Sequence, residues 1–254
     1  MMKLFHTPAS HFVRKCTVTI KELGLEDRVE IVTTKWPHSW GTETVPFRPD
    51  FLEATPIARI PALVTDDGER LTESSLICEY LNDELGNFRL CPQSGRERWR
   101  ILSVMSVATS GVMESQVMRR AELLRKREDS QNKQEFSPGF VKKMMERQDR
   151  CYKRLDELSH DFRADIDLGQ IAAGCACAVS DFRFPEDDWR AIAPHLARWY
   201  DRFRRRPSMR ETEPTETPFE SEELHSGKSE MPSLAEKQTG IRRRDTALLK
   251  EANS

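Results

Sequence analysis

The sequence predicts an α/β domain followed by an all-helical one, and two observations carry that reading. From Lys3 to about Gly86, short extended runs alternate with helical runs in the order βαβ, α, ββα. After Leu90-Cys91-Pro92 no β-rich run returns and long helical patterns take over. A third observation marks an end: beyond Met209 the sequence turns to Glu-Thr-Glu-Pro-Thr-Glu-Thr-Pro with few apolar residues. The expected organisation is a first domain over 1–86, a linker over 87–94, a helical domain over 95–209 and a disordered polar tail over 210–254.

Each element has a local cause. Lys3-Leu4-Phe5-His6 reads as a strand, Ser10 to Leu23 as a helix closed by Gly24, and Val29-Glu30-Ile31-Val32 as a second strand. An irregular loop through Trp36, Pro37, His38, Trp40 and Gly41 precedes a short helical piece near Phe51-Leu52-Glu53. Ala62-Leu63-Val64, a turn at Asp66-Asp67-Gly68 and a return strand at Arg70-Leu71 form a hairpin. The helix from about Glu73 to Leu85 completes the domain. Four longer helices are then expected, from about Gly95 to Arg127, Pro138 to Ser159, Leu168 to Val179, and Pro194 to Arg206, where Pro207 stops the last. Asp167 with Gln170 three residues on gives the third a capping-box start.

Bulk properties narrow the function. At 254 residues and 37% hydrophobic, the chain can bury a substantial core. Its formal charge of −2, from 40 basic and 42 acidic side chains, provides no global field for nucleic acid or an anionic membrane, and neither partner is expected. No apolar stretch approaches the roughly 20 residues of a membrane span, and the N-terminus leads straight into a strand, so a cytosolic location is expected. The cysteines at 16, 78, 91, 151, 175 and 177 lie mostly in helical patterns, without a C-x-x-C pair or a histidine at metal-ligand spacing. No metal site is expected, and Cys175-Ala176-Cys177 reads as small buried helix residues.

One stretch asks for an explanation. In "ARIPALVTDDGERLTESSLICEYL", residues 58 to 81, Pro61 falls inside the run expected to be the best strand and removes a ladder donor there, and Glu73-Ser74-Ser75 set polar groups at the mouth of a helix. Read alone, these are an edge-strand proline and a helix cap.

The combination resembles the cytosolic glutathione transferase superfamily. The residues carrying the resemblance are "SHFVRK" at 10–15, "IPAL" at 60–63, "TESSLICEYL" at 72–81, "DFRFP", and "WYDRFRRRPS" near the end of the helical domain, covering roughly residues 3 to 209. The resemblance implies a thioredoxin-like first domain and glutathione as co-substrate. It implies a cis peptide bond before Pro61, with Ile60 offering its backbone N–H and C=O to the cysteinyl part of glutathione. It also implies that the Ser74 hydroxyl and the free amides of its helix take the γ-glutamyl carboxylate while Glu73 takes the ammonium group.

Catalysis would then rest on the thiol. A free thiol titrates near about 8.5, and lowering it by about two units requires roughly 2.7 kcal/mol. Ser10, at the predicted start of the first helix, is the candidate to donate a hydrogen bond to the glutathione sulfur. Its other reading is an ordinary N-cap. Thr7 is the alternative donor, His6 stands behind it, and Arg14 is a candidate nearby cation. Family members that reduce disulfides carry cysteine at the Ser10 position. Cys16 lies nearly two turns inside the helix, so conjugation or substitution is expected over disulfide reduction, with peroxidase activity left open.

The resemblance implies a small hydrophobic electrophile as second substrate, lying against "ILSVMSVATSGVMESQVMRR", 101–120, where Met105, Met113 and Met118 mix with small residues; helical core or a subunit interface is the commoner use of such a stripe. A homodimer with a role in detoxification is what the resemblance implies. Two other readings stay open: a non-catalytic interaction module on the same fold, and a specialised glutathione-dependent isomerase, dehalogenase or ether-cleaving enzyme.

Overall fold

Residues 1–34, 49–125 and 136–215 are described by the computed structural model. The loop with Trp36, His38 and Trp40, the end of the helix expected to reach Arg127, and the tail from 216 onward lie outside the described residues.

Strand β1 (Met2–His6) leads through a short turn into helix α1 (His11–Leu23), and the chain returns in β2 (Val29–Thr33). Gly24 ends α1 in the left-handed region, φ 69°, where its N–H reaches the carbonyls of Ile20 and Lys21. A short helix α2 (Pro49–Ala54) precedes the hairpin β3 (Ala62–Val64) and β4 (Arg70–Thr72), and α3 (Ser74–Tyr80) follows, continued by a π-helical turn through Leu85.

The strands form one mixed sheet in the order β2-β1-β3-β4. The parallel pair sets Met2 against Val29; the antiparallel pairs set Leu4 against Leu63 and Ala62 against Thr72. Side chains alternate between the faces of a strand, so Met2 and Leu4 enter the main core while Phe5 turns to the opposite face with Phe51, Ala54 and Ala62. This is the expected thioredoxin-like domain. Pro61 stands just before β3, outside the ladder, and removes no strand hydrogen bond.

The helical part begins with α4 (Arg96–Ser106), which passes through a π-helical stretch, Val107–Met113, into α5 (Glu114–Arg125). Gly111 lies in that stretch where a Cβ atom would stand 2.5 Å from the Cys151 sulfur, so only glycine permits this approach of α6 (Pro138–Ser159). Helix α7 (Leu168–Arg183) threads the core, followed by α8 (Trp189–Ile192), α9 (Pro194–Phe203) and α10 (Pro207–Arg210).

Several boundaries differ from expectation for identifiable reasons. Helix α7 continues past Val179 to Arg183 because the polar residues there find partners: Tyr152 and Gln116 bond the Ser180 hydroxyl, and Asp181 accepts from Trp189 and Arg190. Pro207 begins α10 instead of merely ending α9. Half of the capping box at Asp167 forms: its carboxylate accepts from the Gln170 N–H at 2.8 Å, while the Gln170 amide donates to the carbonyls of Arg163 and Asp165. Residues 211 and 212, expected in the disordered tail, bond to α1 through Lys21–Glu211 and Arg14–Thr212.

One hydrophobic cluster runs from Met2 and Leu4 of the sheet through Cys16, Ile77 and Leu81 to Ile171, Trp199 and Met209 of the bundle. Met1–Thr217 is accordingly a single compact unit.

Candidate functional site

The start of α1 is built by a turn in which the Thr7 carbonyl accepts from the Ser10 N–H at 3.1 Å. Ser10 is extended, φ −89° and ψ 118°, and its Oγ accepts from the Val13 N–H at 3.3 Å as the N-cap. A hydroxyl has lone pairs to accept with and one proton to donate, so capping the helix leaves the Ser10 proton for another acceptor. The two readings of Ser10 are therefore compatible. Thr7 is buried beside it at 8% exposure, whereas Ser10 is half-buried.

The two side chains held in reserve are placed differently. Arg14 is buried, and its guanidinium donates to the Met209 carbonyl at 2.6 Å and the Thr212 hydroxyl at 3.3 Å. It braces the C-terminal segment. His6 is half-buried, its Nδ1 has no hydrogen-bond partner, and burial lowers its pKa. Ser10, His6 and Arg14 line one side of a cavity of about 470 Å³ with Lys21, Glu211 and Thr212, and none of Ile60, Pro61, Glu73 or Ser74 lines it.

Those four residues lie together at the other flank of the sheet. The Ile60-Pro61 peptide is cis, and β3 starts at the next residue. Glu73 holds a positive φ of 83° at the N-cap of α3, a conformation uncommon outside glycine. Its carboxylate accepts from the amides of Ser75 at 3.0 Å and Leu76 at 3.3 Å, and from the Ser74 hydroxyl at 3.0 Å. Burial works against the charge, but the Lys15 ammonium and these donors outweigh it, holding the Glu73 carboxyl below its ordinary range. Helix α3 packs beside α1, where the Cys16 thiol donates to the Ser74 carbonyl at 3.7 Å.

Sequence reasoning missed two residues here. Lys15 is wholly buried, and its ammonium donates to Ser75 Oγ at 2.8 Å and Thr109 Oγ1 at 3.0 Å, linking α1 to the mouth of α3 and to the π-helical stretch. Its signal was a cation spaced three and four residues from Phe12 and Thr19 on the inner stripe of the helix. His11 directly follows Ser10, stacks on Phe12 with ring centroids 4.4 Å apart, and bonds the Met113 backbone; its Nε2 is buried without a partner. Burial first, then Arg183, Lys15 and Arg120, push its pKa down to about 3.

Cys16 is fully buried, and its sulfur lies 4.0 Å from that of Cys78. Burial raises its pKa, so no activated thiolate stands at this point of α1. Among the described residues no group of three or more metal-ligating side chains gathers, and no helix is long and apolar enough to cross a membrane.

Comparison with known proteins places these features in context. Residues 9–84 match the family described as glutathione S-transferase, N-terminal domain. An uncharacterized GST-like protein of Escherichia coli K12, YibF, is 27% identical over 218 residues, covering 84% of this chain and 98% of that protein. A glutathione transferase family member from Pseudomonas fluorescens Pf-5, solved with bound glutathione, is 29% identical with a TM-score of 0.75, covering 85% of this chain and all of that one. In complex with S-(propanoic acid)-glutathione, a family member from the same bacterium is 31% identical with a TM-score of 0.69 over the same shares.

Proposed function

Because the chain belongs to the glutathione transferase superfamily, we propose that it binds glutathione and joins the glutathione sulfur to an electrophilic small molecule. Ile60 and the cis-Pro61 junction receive the cysteinyl backbone by strand-like pairing. The mouth of α3, with Ser74 and Glu73, receives the γ-glutamyl end. Glutathione bound in the Pseudomonas fluorescens relative supports this reading.

The observation that carries it is the cap geometry of Ser10. Its oxygen accepts from Val13, which fixes the hydroxyl at the helix N-terminus and turns its proton into the available donor. A thiolate there gains a charge-assisted hydrogen bond and the positive end of α1, contributions of about 1–3 kcal/mol in all, comparable with the cost of ionising a thiol at neutral pH. The thiolate lone pair then forms a carbon–sulfur bond. In substitution the leaving group departs with its bonding pair; in addition the neighbouring carbon takes a proton from solvent.

A cytosolic homodimer acting in detoxification is the setting this reading carries. The exposed apolar side chains of Trp99 on α4, at 69%, and Leu76 on α3, at 49%, support a partner subunit.

The test is a pH titration of the thiolate ultraviolet absorbance of bound glutathione. Wild type should titrate well below about 8.5 and Ser10→Ala should shift upward. Ser74→Ala should weaken glutathione binding about tenfold while leaving the fold intact. Failure of wild type to bind glutathione would overturn the reading.

A further inference from the structure

Packing alone does not call for a lysine on the inner side of α1. Lys15 is wholly buried, and its ammonium donates to two neutral hydroxyls, Ser75 Oγ at 2.8 Å and Thr109 Oγ1 at 3.0 Å. Taking an ammonium out of water is costly, and hydroxyl partners satisfy its protons without cancelling its charge. Its field therefore persists, and in a poorly polarisable interior it reaches further than it would at the surface.

The contacts aim that field at the mouth of α3. Ser75, which accepts from Lys15 through its hydroxyl, donates its own N–H to the Glu73 carboxylate at 3.0 Å, so one residue bridges the ammonium and the carboxylate. Burial raises the Glu73 carboxyl, and Lys15 leads the groups that bring it back below the ordinary range. Neighbouring cations are committed to other carboxylates: Arg98 to Glu79 at 2.7 Å, Arg70 of β4 to Glu53 at 2.7 Å, and Arg59 to Glu114 at 3.5 Å.

The proposed ligand makes the balance of charge matter. Its γ-glutamyl end carries an ammonium and a carboxylate to a mouth that already holds the Glu73 carboxylate. Two anions would share one cation there, and like charges at such a site repel. Lys15, behind Ser75, supplies the second cation.

We infer that Lys15 is a positioning residue of the glutathione site, a buried counter-charge that lets the γ-glutamyl carboxylate settle beside Glu73 without itself touching the ligand. This rests on the glutathione transferase reading and adds to it the group by which the site favours an acid at that end.

Calorimetry on the full chain tests it with two ligands, glutathione and the analogue whose γ-glutamyl α-carboxylate is a carboxamide, at about pH 6.5, where the amino group of each is protonated. Wild type should prefer the acid. Lys15→Met and Lys15→Gln should each cut that preference about tenfold, chiefly by weakening acid binding, and Lys15→Arg should keep it. The glutamine amide can still donate to a hydroxyl, so a role in hydrogen bonding would survive Lys15→Gln and a role of charge would not. Equal affinity of wild type for the two ligands, or a preference unchanged in both neutral variants, would overturn the inference and leave glutathione binding standing. Equal losses of acid and amide binding in the neutral variants would also overturn it, as a structural role would produce that result. No binding of glutathione by wild type would instead remove the parent reading, and the inference with it.

Discussion

The Lys15 ammonium donates to the Thr109 hydroxyl at 3.0 Å, tying the first helix of the sheet domain to the middle of the longest helical run. Its second acceptor, Ser75, lies in the first turn of α3, so one buried cation spans the elements that frame the proposed glutathione site.

Replacing Lys15 with Met should separate charge from packing. Methionine fills much of the same volume, so the fold should change by no more than about 2 kcal/mol, in either direction. Lys15 is the strongest of the groups that lower the Glu73 pKa, so the Glu73 carboxyl should titrate higher in the variant. Carboxyl carbon NMR checks this; an unchanged Glu73 titration would contradict it.

His11 should make the protein sensitive to mild acid. Its folded pKa of about 3 lies below the unfolded value of about 6.5, so between those limits the unfolded chain binds more protons and stability falls as pH drops. The slope is at most about 1.4 kcal/mol per pH unit. Urea unfolding of wild type and His11→Asn between pH 7 and pH 4 should give curves that converge toward acid. Parallel curves would contradict the assignment.

Truncation should locate the true end of the folded unit. A chain stopped after Met209 loses the Arg14–Thr212 and Lys21–Glu211 contacts, whereas one stopped after Thr215 keeps them. The shorter chain should be less stable by about 1 kcal/mol, the sum of one partly buried hydrogen bond and one exposed ion pair. Identical Tm values for the two truncations would show that residues 210–215 contribute nothing.

Features determined within a few residues were legible in the sequence. The Ser10 start and Gly24 stop of α1, the hairpin after Pro61, the Glu73 cap and the Asp167 cap follow from neighbours in the chain, and so does the order of strands and helices. Ile60, Pro61, Glu73 and Ser74 were singled out by the family resemblance; what the structure shows of them is the cis Ile60-Pro61 bond and the Glu73 cap at the start of α3. Lys15 was not legible, because its partners lie 60 and 94 residues away and a lysine on an inner helix stripe does not announce them. Arg14 looked available for a thiolate, yet its contacts at Met209 and Thr212 lie almost 200 positions along the chain. The end of α7 was misjudged because Ser180 and Asp181 resemble a helix stop until their distant partners are known.

The π-helical stretch from Val107 to Met113 works as an indexing device. A π turn takes in one residue more than an α turn, and each residue advances an α-helix by about 100°. Every side chain of α5 is thus dialled to its heading by the count of residues upstream, independently of its identity. Removing one residue from the stretch would rotate Arg120 by a little over a quarter of a turn while leaving it unchanged in kind. A close relative with the same catalytic side chains and one residue fewer here would present a different wall to its substrate, so specificity in this fold is written in spacing as well as in letters.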